Sequence, residues 1–238
     1  MDGIINVYKP KGITSYDVIR ILKKEFKIKD KIGHGGTLDP IGEGVLIICL
    51  GTATKIANQF INFDKEYITE LILGIKTDTD DTEGNIIEKK EVGNLSEQEI
   101  IDTVKSFEGE IEQIPPIVSA IKYKGVPLYK YYRKGIKIQP PPRKVKIKKI
   151  EILKISLPYI ELKVLCSKGT YIRALCRDIG EKLGYGGTQS KLIRTKVGIF
   201  KIEDSVKIED LRRDGIEKHL IYPDEISKIL YGYLNEKS

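Results

Sequence analysis

The sequence predicts an α+β fold, with a mixed, mainly antiparallel central sheet, flanking helices and an inserted basic arm. Residues 144–155 and 159–166 alternate between apolar and polar side chains, which is typical of half-buried strands. The run 45–50 is wholly apolar and short, as in a strand that is buried on both faces. Two helix starts have capping-box spacing, one at Thr14 and one at Ser96.

In chain order, the pattern predicts a strand at 4–8 and then an amphipathic helix from Thr14 to about Phe26. A glycine-rich loop then leads into the buried strand. The later elements are a helix at 52–60, a strand at 67–73, a polar turn at 78–84, a helix at 96–107, the strands 144–155 and 159–166, a helix at 170–183 with Gly184 as its C-cap, a strand at 188–202 and a helical tail from Ile208 onward.

We expect a single domain over residues 1–238, because no repeat, low-complexity segment or linker divides the chain. Residues 113–143 hold six prolines and a run rich in Tyr and Lys. Prolines interrupt regular structure, so this segment is predicted to leave the core as an arm.

The positive charge of the chain is concentrated around this arm. The formal net charge is +7, and no acidic residue occurs between Glu112 and Glu151. That stretch holds eleven Lys and Arg, so the rest of the chain carries a net charge of −4, since 7 − 11 = −4. Aromatic rings beside cations suit unpaired bases and phosphates, which predicts an RNA-binding surface. The alternative is a solvated basic face on a hairpin. The interleaved tyrosines are Tyr123, Tyr129, Tyr131 and Tyr132.

Composition disfavours several other classes of protein. No apolar run is long enough to cross a bilayer, and the N-terminus lacks the pattern of a secretory signal, so we expect a cytoplasmic protein without a membrane partner. The three cysteines are widely spaced in apolar surroundings, which predicts buried free thiols. With two histidines and no C-x-x-C pair, no metal site is predicted. No glycine motif for binding a nucleotide cofactor is present either.

One carboxylate is prominent in the glycine-rich loop 33–46, GHGGTLDPIGEGVL. Asp39 lies there between Leu38 and Pro40, shortly before the buried strand. A lone carboxylate held by a tight turn at the mouth of such a strand is suited to act as a nucleophile. The alternative is a surface turn, since Gly, Asp and Pro are the usual turn residues.

Three other side chains have both a functional and an ordinary interpretation. Arg173, near the start of a predicted helix, could keep a buried carboxylate ionised, or could be an ordinary helix-start arginine. By alternation alone, Tyr67 is a half-buried core aromatic of a strand. His34 precedes the glycine pair, and a loop histidine is usually a surface residue or an N–H donor.

Six short segments, in order along the chain, resemble the motifs of the bacterial pseudouridine synthases that act on the T-arm of transfer RNA, the TruB family. The loop around Asp39 resembles the catalytic-aspartate motif of that family, and 6–12 resembles its Lys-Pro-x-Gly segment. The remaining segments are 65–67, 74–80, 115–122 and 168–173. The resemblance covers roughly residues 4–200 and implies the pseudouridine synthase fold with a thumb-like arm.

This resemblance implies the reaction and its catalytic residues. The enzyme would isomerise a uridine, expected to be U55 of the T-arm, to pseudouridine after flipping the base out. Asp39 would be the nucleophile, at ribose C1′ or at base C6, with Arg173 as its ion-pair partner and Tyr67 stacked on the base. The bond from C1′ to N1 breaks and a bond from C1′ to C5 forms, so no cofactor or metal is expected.

The resemblance also implies the residues that bind substrate. His34 would pack against the RNA near the flipped nucleotide, while Tyr171 and Leu192 would line the uridine pocket together with Tyr67. The partner expected is the T-arm stem-loop of transfer RNA, and no protein partner is implied. The residues expected to contact RNA elsewhere are Lys9, Lys122, Lys124, Arg133 and Arg143.

Two features depart from the family pattern. Tyr132 stands before Arg133 where family members usually have Ala, and the tail after residue 202 is too short for the further RNA-binding domain of PUA type that family members commonly carry. We therefore expect that domain to be absent. Three other functions remain open on the sequence: a non-catalytic RNA-binding or RNA-chaperone protein, a pseudouridine synthase that acts on another RNA, and a glycosidase with two carboxylates.

Overall fold

The computed structural model describes residues 1–235 of the 238 in the chain. The strands are β1 (Gly3–Lys9), β2 (Ile32–His34), β3 (Gly42–Leu50), β4 (Lys65–Leu73), β5 (Ile75–Thr77), β6 (Ile86–Lys89), β7 (Gly109–Gln113), β8 (Lys122–Tyr123), β9 (Val126–Pro127), β10 (Arg143–Ser156), β11 (Tyr159–Cys166), β12 (Gly187–Val197) and β13 (Phe200–Lys201). The α-helices are α1 (Ser15–Glu25), α2 (Ala57–Ile61), α3 (Glu97–Lys105), α4 (Leu128–Tyr132), α5 (Ile172–Lys182), α6 (Ile208–Asp214) and α7 (Pro223–Asn235). Short 3-10 helices lie at Gly51–Ile56, Ile202–Asp204 and Ile216–His219.

The Cα positions divide the chain into two compact units. One unit is Met1–Tyr67 with the segment that starts at Leu192, and the other is Ile68–Lys191. Strands β4 and β12 each pass from one unit into the other along the chain.

The first unit is organised around β3, which is apolar from Val45 to Leu50. Strands β1 and β2 both pair antiparallel with β3, and residues 192–194 of β12 run parallel to residues 42–44 of β3. Leu46, Ile48 and Leu50 pack into a core with α1 and α6. Val45 and Ile47, on the opposite face, pack into a second core with α2 and α7. Strand β3 is therefore buried on both faces, as its uninterrupted apolar run predicts.

The second unit has the strand order β4, β11, β10, β7. Strand β10 pairs antiparallel with both β11 and β7. Val145, Ile147 and Ile150 of β10 are buried, as are Ile160, Leu162 and Val164 of β11. Helix α3 packs on β10 and α5. Strands β5 and β6 form a hairpin, and β8 and β9 form a smaller one inside the arm 113–143.

The α+β fold class with a mixed, mainly antiparallel sheet is confirmed. Both capping boxes are formed, at Thr14 and at Ser96, because each side chain accepts the backbone N–H three residues on. The helical tail is confirmed as far as Asn235, and its last residues, 236–238, lie outside the described residues. Within residues 1–235, no helix combines the length and the apolar character that crossing a bilayer requires.

Some predicted boundaries were wrong. The helix at 52–60 is a 3-10 turn followed by the short α2, and the strand at 188–202 breaks at Gly198, whose φ of +57° ends β12. The arm contains regular structure, namely β8, β9 and α4. The strand β6 is wholly exposed, so no apolar alternation marks it in the sequence.

Candidate active site

Asp39 lies in the loop that joins β2 to β3, and the backbone around it is held at several points. Gly42 donates its N–H to the Asp39 carbonyl at 2.9 Å, which closes a four-residue turn with Pro40 in its second position. Gly12 donates its N–H to the Pro40 carbonyl at 2.8 Å. The Asp39 side chain is half-buried, so it lies at the surface of a fixed turn.

Arg194, on β12, ties the first part of this loop to β3. Its side chain is 1% exposed. Its Nε donates to the Val45 carbonyl at 2.7 Å, while Nη1 and Nη2 donate to the carbonyls of Thr37 and Gly36 at 2.9 and 3.1 Å. Gly44 permits this approach, because a Cβ there would lie 2.4 Å from the Arg194 carbonyl oxygen. One buried guanidinium therefore fixes two peptide groups shortly before Asp39.

Ser15 fixes the residue next to Asp39. It lies at the start of α1 and is 2% exposed. Its hydroxyl accepts the Leu38 N–H at 2.9 Å and donates to the Leu38 carbonyl at 3.0 Å. A single hydroxyl thus satisfies both backbone groups of the residue before Asp39, and this leaves the loop little freedom there.

His34, at the end of β2, is a neutral imidazole that faces the same loop. Its Nδ1 accepts the Gly36 N–H at 3.3 Å. Burial lowers the pKa of His34 below its usual value, and the nearby charge of Arg194 lowers it further. With Nδ1 acting as an acceptor, the ring hydrogen lies on Nε2.

Leu192 and Tyr67 are both buried in the first unit. Leu192 pairs with Gly42 across β12 and β3, and a Cβ on Gly42 would lie 2.8 Å from Leu38 and 3.1 Å from Leu192. Leu192 therefore packs against the turn that follows Asp39. Tyr67 is 8% exposed within β4, which agrees with the strand alternation.

Lys9 is buried rather than presented at the surface, with 0% of its side chain exposed. Its ammonium donates to the carbonyls of Pro10 and Ile13, at 2.8 and 2.7 Å. In this position Lys9 holds the segment 10–13, and the N–H of Gly12 in that segment donates to Pro40 of the Asp39 loop. The burial leaves no accessible surface for the RNA contact predicted at this residue.

Arg173, in the first turn of α5, is 5% exposed within the second unit. Its Nη1 donates to the carbonyls of Thr79 and Val118, at 3.0 and 3.1 Å, and lies 3.7 Å from Asp81 Oδ2. Asp81 Oδ1 accepts from the Thr79 hydroxyl at 2.7 Å and from the Glu83 N–H at 3.0 Å. The guanidinium is therefore held against the loop that follows β5.

Gln113, at the end of β7, positions the residues just before Arg173. Its side chain is 0% exposed. Its amide oxygen accepts the Tyr171 N–H at 2.8 Å, and its amide nitrogen donates to the Tyr171 carbonyl at 3.1 Å. Tyr171 is thus fixed at the N-cap of α5, because one side chain binds both its N–H and its carbonyl, as Ser15 does for Leu38.

Arg177, one turn after Arg173, organises a charged cleft. Its guanidinium donates to Asp80 at 2.8 Å, to Asp178 at 2.9 Å and to the Ile114 carbonyl at 2.8 Å. Burial raises the pKa of Asp80, and the charges of Arg177 and Arg173 oppose that rise. A cavity of about 580 Å³ opens beside these groups. In the described part of the chain, no three His, Cys, Asp or Glu side chains are grouped to hold a metal ion.

The cations predicted to contact RNA on the arm are solvent-accessible. Lys122, Lys124 and Arg133 are exposed, and Arg143 is half-exposed at the start of β10. The Arg133 guanidinium lies 5.4 Å from the centre of the Tyr129 ring. Helix α4 is tied to the segment before β8, since Leu128 is 2% exposed and its N–H donates to the Ile121 carbonyl at 2.8 Å.

Besides Arg177 and its two carboxylate partners, the structure adds supporting residues that were not found in the sequence, namely Arg194, Ser15, Gln113 and Asp81. Each acts by holding backbone or a charged group that lies far away in the chain. Arg194 carried a weak signal, because it is a charged residue two positions after Leu192 and so on the same face of the strand. Ser15 and Gln113 carried none, since each has an ordinary residue type for its place.

Solved structures with the same fold define the class of protein. The chain matches one in the crystal structure of a Cbf5-Nop10-Gar1 complex with a TM-score of 0.71 and 35% identity, over 91% of this chain and 57% of that one. It also matches a chain in a structure of an H/ACA RNP bound to a substrate RNA, with a TM-score of 0.67 and 32% identity. The chain spans less than two thirds of the length of these solved chains. The fold is that of the pseudouridine synthases.

Family models and curated relatives identify the family. Residues 23–172 match the N-terminal domain of the TruB family pseudouridylate synthases, and residues 173–228 match the C-terminal domain of tRNA pseudouridylate synthase B. A tRNA pseudouridine synthase B of Clostridium tetani is 53% identical over 93% of this chain and 76% of its own length. That of Clostridium kluyveri is 50% identical over 98% of this chain and 79% of its own length. The chain therefore belongs to the TruB family, and it is an isomerase that converts uridine in transfer RNA to pseudouridine.

Proposed function

We propose that the protein isomerises uridine 55 in the T-arm of transfer RNA, with Asp39 as the nucleophile. The observation that carries this proposal is the fixed backbone around a half-buried carboxylate. Arg194 holds the peptide groups before Leu38, Ser15 holds Leu38, and a turn closed by Gly42 holds Asp39 itself. Attack on a ribose or base carbon requires this kind of preorganisation, because a small misplacement of the nucleophile costs much of the rate.

The reaction needs no atoms beyond those of the substrate. The bond from ribose C1′ to base N1 breaks, the base turns, and a bond from C1′ to C5 forms while the proton on C5 is lost and N1 gains one. Asp39 would attack either C1′ or base C6, and it leaves again in the last step. We propose Arg173 as the partner of this carboxylate, since a guanidinium stays charged when buried and can bind a carboxylate through two N–H groups.

The remaining pocket residues would receive the flipped base. We propose that Tyr67 stacks on the uracil ring and that Leu192 and Tyr171 line its pocket. His34, kept neutral by burial, would fill the space that the base leaves and could donate from Nε2. The support for these roles is that His34 and Leu192 both pack against the Asp39 loop, and that Gln113 fixes Tyr171 two residues before Arg173.

The arm would supply sequence-independent affinity for the folded RNA. Lys122, Lys124 and Arg133 are exposed on it, and Arg143 lies where β10 begins. Contacts from such cations to phosphates fix register and orientation, while loop shape and the flipped base supply specificity. We further propose that the enzyme works in the cytoplasm and needs no accessory protein to bind the T-arm.

Tritium release tests this function with purified protein alone. Transfer RNA transcripts carrying tritium at C5 of uridine lose the label only when C5 becomes bonded to the sugar. We expect one equivalent of release from the wild-type transcript and none from a transcript with cytidine at position 55. Release that persists without uridine 55 would assign the enzyme to another uridine. No release from either transcript would favour a non-catalytic RNA-binding role.

A further inference from the structure

Asp78, in the loop after β5, is a fixed hydrogen-bond acceptor. Its Oδ1 accepts the Asn85 N–H at 2.8 Å, and its Oδ2 accepts from the Asn85 side-chain amide at 3.1 Å. The Asp78 N–H donates in turn to the Asn85 carbonyl at 3.1 Å. Gly84 packs closely enough that a Cβ there would lie 2.5 Å from Asp78 Oδ1. The carboxylate is therefore immobilised by its own loop.

Tyr132, in the arm helix α4, reaches this carboxylate. Its hydroxyl donates to Asp78 Oδ2 at 2.5 Å. Burial alone would raise the pKa of Asp78, but the hydrogen bonds from Tyr132 and Asn85 stabilise the carboxylate and lower the pKa overall. The backbone bonds from Leu128 to Ile121 and from Tyr129 to Ser119 lie within the arm itself. The phenol of Tyr132 thus joins the arm helix to the loop.

The same loop is bound by α5 at the next two residues. The carbonyl of Thr79 accepts from Arg173, and the carboxylate of Asp80 accepts from Arg177. Three consecutive residues, 78 to 80, are therefore bound by the arm and by two successive turns of α5. The arm helix and the Arg173 guanidinium are thus bound to neighbouring residues of one loop.

We propose that Tyr132 is a positioning residue whose hydroxyl docks the arm helix on Asp78 and so preorganises the arm for RNA binding. This inference rests on the function proposed above, because it assigns the arm to RNA binding. A docked arm presents Lys130, Arg133 and Lys137 in a preformed arrangement, so less conformational freedom is lost when RNA binds.

Tyr132→Phe tests the proposal because it removes only the hydroxyl. We expect transfer RNA to bind about fivefold to tenfold more weakly, the loss typical of one hydrogen bond to a charged group that is partly exposed to water. Amide hydrogen exchange in residues 128–135 of the RNA-free enzyme should become faster, and kcat at saturating RNA should change less than about twofold. Tyr231→Phe, at an exposed tyrosine of α7, is the matched control.

Asp78→Ala provides the reciprocal variant and a double-mutant cycle. Once Asp78 is absent, Tyr132→Phe should no longer weaken RNA binding. Unchanged affinity and exchange in Tyr132→Phe would overturn the proposal. Weaker binding without faster exchange, or an equal effect in the Asp78→Ala background, would also overturn it, because the hydroxyl would then contact RNA directly. Affinity and exchange do not depend on turnover, so failure of the proposed isomerisation would be recognised separately.

Discussion

Replacing Arg194 with Met should separate the role of the buried guanidinium from that of the apolar packing around it. Methionine keeps much of the side-chain volume but removes all three donors to the carbonyls of Val45, Thr37 and Gly36. The Val45 carbonyl is buried, and leaving it unsatisfied costs about 1–3 kcal/mol. The other two carbonyls can reach water, so each bond lost there costs about 0.5–1.5 kcal/mol. We expect the free energy of unfolding to fall by about 2–6 kcal/mol.

The catalytic effect should exceed what unfolding alone produces. The loop that carries Asp39 would lose its attachment to β3, and displacing a reacting group by about 1 Å can lower a rate by roughly 100-fold. Chemical denaturation gives the stability, and single-turnover tritium release at a temperature where the variant is fully folded gives the rate. Arg194→Lys, which keeps the charge but offers only a single donor group, should fall between the two proteins.

One result would refute this reasoning about Arg194. If the folded Arg194→Met enzyme releases tritium at the wild-type rate, the guanidinium does not hold Asp39 in its working position. The loss of stability would then come only from the carbonyl groups that are left without a hydrogen-bond donor.

Three further perturbations test other parts of the structure. Ser15→Ala should lower stability by about 1–2 kcal/mol and slow single turnover, because both backbone groups of Leu38 lose their partner; equal rates for the two proteins would contradict this. The pKa of His34 is lower in the folded protein than in the unfolded chain, so just below pH 6.5 the unfolded chain binds a proton that the folded protein does not. The free energy of unfolding should therefore fall as the pH drops. His34→Gln should make that fall smaller in urea titrations at pH 5 to 7.5. Lys122→Ala and Lys124→Ala should each reduce the slope of log affinity against log salt by about 0.7, with little change in kcat at saturating RNA; slower turnover at unchanged affinity would count against phosphate contact.

The sequence predicted those parts of the fold that depend on neighbouring residues. The apolar run 45–50 marked the buried β3, and the capping boxes at Thr14 and Ser96 marked two helix starts. The strands β10 and β11 were predicted from alternation, because one face of each is buried. In these elements, apart from the second half of β10, the local pattern and the burial agree, so the period alone is sufficient. Beyond Ile150 the register of β10 shifts, and Leu153 is exposed.

The residues that hold the backbone of the candidate site could not be predicted in this way. Arg194 holds Thr37, which is 157 positions away in the chain, and Gln113 holds Tyr171, which is 58 positions away. No local pattern records such pairs, because each residue has an ordinary type for its own strand or loop. Lys9 was placed among the RNA contacts by the resemblance, while its ammonium is buried against two carbonyls.

Tyr132 departs from the family pattern, and only the structure shows which residue its side chain contacts. In the sequence, Tyr132 was only a large residue where a small one is usual. Its hydroxyl contacts Asp78, next to the carbonyl that binds Arg173. The consequence of the substitution therefore depends on a loop more than fifty residues away in the chain.

Single-turnover tritium release by Asp39→Asn tests the role of Asp39 most directly. Asparagine keeps the size of the side chain and removes its charge and nucleophilicity. We predict that the variant binds transfer RNA with an affinity close to that of the wild type and releases no label, whereas Asp224→Asn, at an exposed position of α7, releases it at the wild-type rate. Release by Asp39→Asn at the wild-type rate would contradict the assignment of this carboxylate as the nucleophile.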